Sequence, residues 1–148
     1  MGQMPSMCVR MIIELGHFCL ILAFGLSCVQ TVSGLVGAHY RWAGWMVVTG
    51  QAALLQFALT ACAFAALTYA FVTSDFSLRL VVLNSHSLKP MLYKISGVWG
   101  NHEGSILRWL WVMAFFGFIF SKHKIKDLDL KSIILAIQGA LCLSLIHI

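Results

Sequence analysis

The chain has 148 residues, is 60% apolar and only 10% charged, and has a mean hydropathy of +0.88. Soluble domains run at about 45–50% apolar and about 25% charged, so an ordinary water-soluble globule is excluded, and disorder fails for want of polar residues. Ten Lys and Arg against five Asp and Glu leave a net charge of +5, but cations this dispersed make no phosphate-tracking stripe, which excludes a nucleic-acid partner. An integral membrane protein, with the lipid bilayer as its solvent, remains.

The few charges partition the chain. Residues 15–40, 26 in all, hold no Asp, Glu, Lys or Arg, and neither do the 33 residues 42–74. A crossing takes about 20 mostly apolar residues, which predicts spans at about 13–36 and 46–72. A third, 105–121, covers roughly 24 Å at a rise of about 1.5 Å per residue, which is marginal. Arg108 near its start snorkels to the headgroups beside Trp109 and Trp111. A fourth runs from Ser132 to Ile148. The expected fold is all-α, a polytopic transmembrane helical protein with three complete spans plus a truncated fourth. The abrupt end reads as that of a fragment, with Leu143–Ile148 either native or a cloning tail. Span one reads as a retained helix rather than a cleaved signal peptide. Glu14 interrupts the apolar core, the uncharged stretch exceeds an h-region, and Gly25-Leu26-Ser27-Cys28 is a poor cleavage or lipidation site.

Within the spans, Ala61 and Ala65, like Cys62 and Ala66, are four apart. That spacing suits close helix packing, or simply an Ala-rich bilayer helix. Gln51 and Gln56 need partners, so one face of span two should meet protein. The cysteines (Cys8, Cys19, Cys28, Cys62, Cys142) form no CxxC and no zinc spacing, and no metal site is expected. Cys19 and Cys28, nine residues apart in one helix, point opposite ways and cannot bridge. Glu14 and His17 share a helix face at the mouth of span one. They read either as an interfacial pair in reach of water or as functional groups at membrane depth. His39 and His123 lie in short loops beside basic residues and read as solvated. Trp42, Trp45, Trp99, Trp109 and Trp111 fall at inferred span edges, as an aromatic belt would place them.

Residues 73–104 form the one long polar connection. Loops beyond about 12–15 residues are uncommon and usually functional or disordered. This one contains Phe76, Val81, Leu92, Tyr93, Val98 and Trp99, too apolar for a tether, and should pack as short interfacial helices around Pro90. Two clusters mark it: Asn84-Ser85-His86-Ser87, and Trp99-Gly100-Asn101-His102-Glu103-Gly104-Ser105. In the second, Asn101 reads as the N-cap of the coming helix, with Glu103 in its first turn where a negative charge suits the dipole. His102-Glu103 is no zinc-protease motif, because Ile106 stands where the second His belongs. No Walker loop, GxSxG or Ser/His/Asp arrangement occurs, so no catalytic residue is assigned. Basic residues divide evenly between the two sides, five and five. The dense run Lys122–Lys131 in a short loop places that side in the cytoplasm and 73–104 outside.

Several stretches together resemble the CcmF family of cytochrome c-type biogenesis proteins, the haem lyase subunit, with NrfE a close relative. They are Ile13-Glu14-Leu15-Gly16-His17-Phe18, Tyr69-Ala70-Phe71-Val72-Thr73-Ser74-Asp75-Phe76-Ser77, Asn84-Ser85-His86-Ser87, Pro90-Met91-Leu92-Tyr93-Lys94 and Val98-Trp99-Gly100-Asn101-His102-Glu103-Gly104-Ser105. The specificity lies in their order and spacing between spans, over roughly residues 12–140. Ile13 stands where the family usually has Pro, and the residues before it read as extra start sequence.

The resemblance implies a single N-terminal membrane fragment (1–148) of a multi-pass protein of the bacterial cytoplasmic membrane or, alternatively, the mitochondrial inner membrane. The whole protein would receive haem from a haem chaperone and, with other cytochrome c maturation membrane subunits, attach it to the CxxCH thiols of apocytochrome c on the outer side. Its recognised haem ligands lie downstream of this stretch, so the fragment alone is expected to be inactive. Trp99, His102, Glu103 and His86 are the residues expected to contact haem or a partner, or else only to brace the downstream haem domain. Arg79, Lys89 and Lys94 are candidate cations for the propionates. A solute transporter and a small structural membrane subunit are the competing classes. Clean span centres and the lack of an internal repeat stand against the first, and the packed, histidine-bearing loop against the second.

Overall fold

The computed structural model describes residues 6–73, 81, 90–123 and 127–147, with side chains from Met11 onward. Arg79, His86 and Lys89, with the rest of the Asn84–Ser87 cluster, lie outside the described residues, as does the Cys8 side chain. The described helices are α1 (Ser6–Tyr40), α2 (Ala43–Val72), a short α3 (Met91–Gly97), α4 (His102–Lys122) and α5 (Leu128–His147). No strand occurs among the described residues. The four long helices are each long and apolar enough to cross a membrane.

The fourth crossing begins at Leu128 rather than 132 and has 20 residues, long enough to span, and the third crossing also differs from its expected bounds. It starts at His102 rather than 105 and has 21 residues, about 31 Å at the usual rise, so it is full length for a hydrocarbon core of about 30 Å. Asn101 makes the extra turn possible. Its side chain accepts from the Gly104 amide at 2.6 Å, the N-cap read from the sequence.

Chain direction alternates. Between α1 and α2 there is no room for a long loop: Trp42 N donates to Gly37 O at 3.1 Å while Arg41 takes φ 51°. This is a Schellman-type stop with arginine at the left-handed position where glycine is usual. α1 then packs on α2 and α5, α4 packs on α2 and α5, and α2 touches α5 across one diagonal. Close backbone approach has a clear cause at Gly34 in α1. A Cβ there would lie 2.7 Å from Ala136 Cβ and 2.8 Å from Ser132 O of α5.

The bundle interior is built mainly of small and polar residues, and its exterior is greasy. Ser27, Gln30, Ser33, Thr49, Gln56, Thr60, Ser132 and Gln138 are buried, whereas Leu15, Phe18, Ile21, Val32, Val47, Leu55, Phe116 and Ile137 are exposed. Gln30 Nε2 donates to Leu135 O at 2.6 Å and to Gln138 Oε1 at 2.5 Å. Gln56 Nε2 donates to Ser27 Oγ at 2.7 Å, Ser33 and Thr49 hydroxyls meet at 3.0 Å, and Ser132 Oγ donates to Gly34 O at 3.0 Å. In water such a surface would associate. In lipid, where helices gain nothing by hiding Leu from hydrocarbon, small and polar residues make the interhelical contacts.

Span two meets protein along a different face from the one its alanine spacing picks out. Cys62 and Ala65 are exposed, while Ala52, Ala53, Gln56, Thr60, Ala63 and Ala70 are buried. Ala66 does serve, lying 2.8 Å from where a Gly16 Cβ would stand. Gln56 has its partner, but Gln51 is exposed. Trp111 departs from the belt. It stacks on Phe64 with centroids 5.6 Å apart and planes at 3°, inside the α2–α4 interface. Trp42 and Trp109, at 62% and 59% exposed, fit the belt. Cys19, Cys28, Cys62 and Cys142 are free thiols.

Candidate functional site

The most elaborated part of the bundle is the end where α2 finishes and α4 begins. Pro90 stands at the N-cap position of α3 with φ −57° and ψ 151° and gives no side-chain cap, and its carbonyl accepts the first bonds of the helix from Tyr93 N and Lys94 N at 3.0 and 3.2 Å. Met91, Leu92 and Tyr93 on α3 are exposed, as an interfacial helix requires. Val98, just past α3, is buried against Ala70 and Phe71 of α2 and Val81 of the connection, flanked by Ile13 of α1. Val81 and Val98 of the connection therefore pack on the bundle itself.

From Val98 the chain turns into α4 through a fixed knot. Gly100 N donates to Ser96 O at 3.0 Å. Asn101 Nδ2 donates back to Gly97 O at 2.9 Å while its Oδ1 accepts from Gly104 N. One side chain thus ties the last residue of α3 to the first turn of α4. Gly104 is buried, and a Cβ on it would fall 1.7 Å from Val98 O. Only glycine fits there.

Of the expected site residues, Trp99, His102 and Glu103 sit on this knot, while His86 lies outside the described residues. Trp99 is 38% exposed, and the Arg108 guanidinium lies 5.8 Å from its ring centroid, a cation–π contact that turns Arg108 toward the membrane surface. His102 and Glu103 are the first two residues of α4, both exposed. Glu103 also lines a cleft of about 240 Å³ between α1, α2 and α4, across from His17. Its floor is Gly16, Ala63, Ala66 and Ala70. His17 and Glu103 are 86 positions apart, so nothing local in the sequence pairs them. His102 and Trp99 do not line this cleft.

The cleft does not fit haem. Haem needs an axial ligand above a flat apolar wall and cations for its propionates. Here His17 offers an imidazole, but alanines and leucines line most of a space of about 240 Å³ with no Phe, Tyr or Trp wall and no Lys or Arg among the described lining residues, and the Glu103 carboxylate opposes a dianion. No group of three or more His, Cys, Asp or Glu placed to hold a metal ion occurs among the described residues. What the arrangement does chemically is mechanical: it fixes the angle at which a capped membrane helix leaves a surface helix, and presents Trp99, His102 and Glu103 on a rigid turn.

A bundle with an interior of small and polar residues, an apolar exterior and four helices long enough to span defines a polytopic α-helical membrane protein. No family model matches the chain. A cytochrome c-type biogenesis protein, ccl1 of Rhodobacter capsulatus, is 65% identical over 107 residues, which is 72% of this chain and 16% of the relative. The cytochrome c-type biogenesis protein CcmF of Pseudomonas aeruginosa is 47% identical over 116 residues, 76% of this chain and 18% of the relative. Among solved structures, a cytochrome c heme lyase CcmF superposes with a TM-score of 0.87 at 23% identity, covering 92% of this chain and 23% of that one. The chain belongs to the CcmF/CycK/NrfE family of cytochrome c-type biogenesis proteins. It spans 16% to 20% of the length of curated relatives it matches.

Proposed function

We propose that the chain is a membrane-embedded portion of a haem lyase, and that it serves cytochrome c maturation by positioning rather than by ligating haem. The observation that carries this reading is the 65% identity to a cytochrome c-type biogenesis protein over 107 residues, a stretch that takes in the capped turn. Haem enters from a haem chaperone and is joined to the CxxCH thiols of apocytochrome c by parts of the longer protein that lie outside this chain. The protein resides in the bacterial cytoplasmic membrane with the α3–α4 knot on the outer side, where apocytochrome c arrives. The knot braces the haem-handling part, and Trp99, His102 and Glu103 are the residues through which it would touch a partner. His86 belongs to the same connection.

The test is made in the full-length relative carrying these residues. Trp99→Ala, His102→Ala and Glu103→Gln are compared with Gly104→Ala for haem content and holocytochrome c yield. A bracing role predicts that the three surface variants keep more than about half of the wild-type yield while Gly104→Ala, which must move the backbone, loses most of it. A loss of haem in His102→Ala with the fold intact would assign that histidine a direct role and refute positioning as the whole function.

A further inference from the structure

The opposite end of the bundle carries a second groove, of about 300 Å³, between α2, α4 and α5. Its apolar lining comes from buried Leu135, half-buried Leu54 and, at the lipid-facing mouth, exposed Val47, and its polar lining includes Gln51, Lys122 and Lys131. Lys131 is held in place. Its Nζ donates to Ser121 O at 2.6 Å and to His123 O at 3.1 Å, the carbonyls that α4 leaves open at its C-terminus. An ammonium has three donors, so one remains after these two bonds. Lys122 is exposed beside it. The nearby acids do not cancel these cations. Asp129 is occupied by Arg41, with Nε to Oδ2 at 3.3 Å, and exposed Asp127 forms no ion pair with Lys122 or Lys131.

We infer that this groove is a binding site for an anionic phospholipid, its acyl chain against Val47, Leu54 and Leu135 and its phosphodiester at Lys122 and Lys131. A basic rim above an apolar slot between membrane helices matches a ligand with a negative head and a hydrocarbon body. A zwitterionic lipid offers the same chain without the net charge, and inorganic phosphate the charge without the chain. The inference rests on the four helices crossing a bilayer and is independent of any role in haem attachment.

The test is native mass spectrometry of the full 148-residue chain, released from micelles doped equally with phosphatidylglycerol and phosphatidylcholine of identical acyl chains. One phosphatidylglycerol retained per chain, in preference to phosphatidylcholine by about fivefold or more, is the expected result. Lys122→Gln, at an exposed position, should lower that retention about fivefold. Leu54→Trp, which fills the apolar arm and leaves both lysines, should bring phosphatidylglycerol down to the phosphatidylcholine level. Millimolar inorganic phosphate should not displace the lipid. Equal retention of the two lipids, retention unchanged in Lys122→Gln, or displacement by inorganic phosphate would each overturn the assignment.

Discussion

Gly104 and Asn101 do different work in the same turn. Gly104 gives space, because the Val98 carbonyl occupies the position a Cβ would need. Asn101 gives hydrogen bonds in two directions. Gly104→Ala should therefore destabilise by about 3 kcal/mol, at the upper end for overpacking against backbone. Asn101→Ala should cost about 1–2 kcal/mol, the range for a lost N-cap. Thermal unfolding in detergent, followed by helical circular dichroism, checks both, and a Gly104→Ala protein as stable as wild type would rule out the steric reading. Asn101 was legible as a cap because capping is local: an Asn followed by a Glu two positions into an apolar run carries the signal. Gly104 was not, since its spacing from Gly100 mimics a helix-packing motif while the oxygen it avoids belongs to a turn that sequence spacing does not reveal. That His17 and Glu103 line one cleft was likewise out of reach, being a product of how α1 and α4 flank α2.

At the scale of elements, the charge-free runs announced the helices, but not which faces they bury. In a soluble protein the apolar stripe reports the buried face. In α2 nearly every position is apolar or small, so periodicity has no contrast, and the buried line through Gln56, Thr60 and Ala63 was carried only by its polar members. Trp111 shows the same limit. Its place near a predicted span end read as a belt residue, but the three-residue extension of α4 moves it inward, onto Phe64 and Phe57. The indole Nε1 is buried with no hydrogen-bond partner, so Trp111 contributes area and stacking rather than a polar anchor. Trp111→Phe is then expected to cost about 1 kcal/mol or less, and Trp111→Ala about 3 kcal/mol. Equal losses for the two variants in a detergent unfolding series would mean that the N–H has a partner after all.

For the whole molecule, the placement of polar and apolar surface is the governing fact. Buried glutamines from α1, α2 and α5 hold the helices together, and leucines, valines and phenylalanines face outward. That inversion makes sense only in hydrocarbon. It also explains why composition alone excluded a soluble fold while leaving orientation nearly undecided: the basic residues split evenly, and the proposed outward placement of the α3–α4 knot follows from the dense Lys122–Lys131 segment and from the family's chemistry. The direct measurement is labelling with a membrane-impermeant maleimide in intact spheroplasts, using single cysteines at Ser96→Cys and Lys122→Cys in a background without native cysteines. Ser96→Cys should label at once and Lys122→Cys only after permeabilisation. Labelling of both positions without permeabilisation would contradict the bilayer crossing, and the reverse pattern would contradict the orientation.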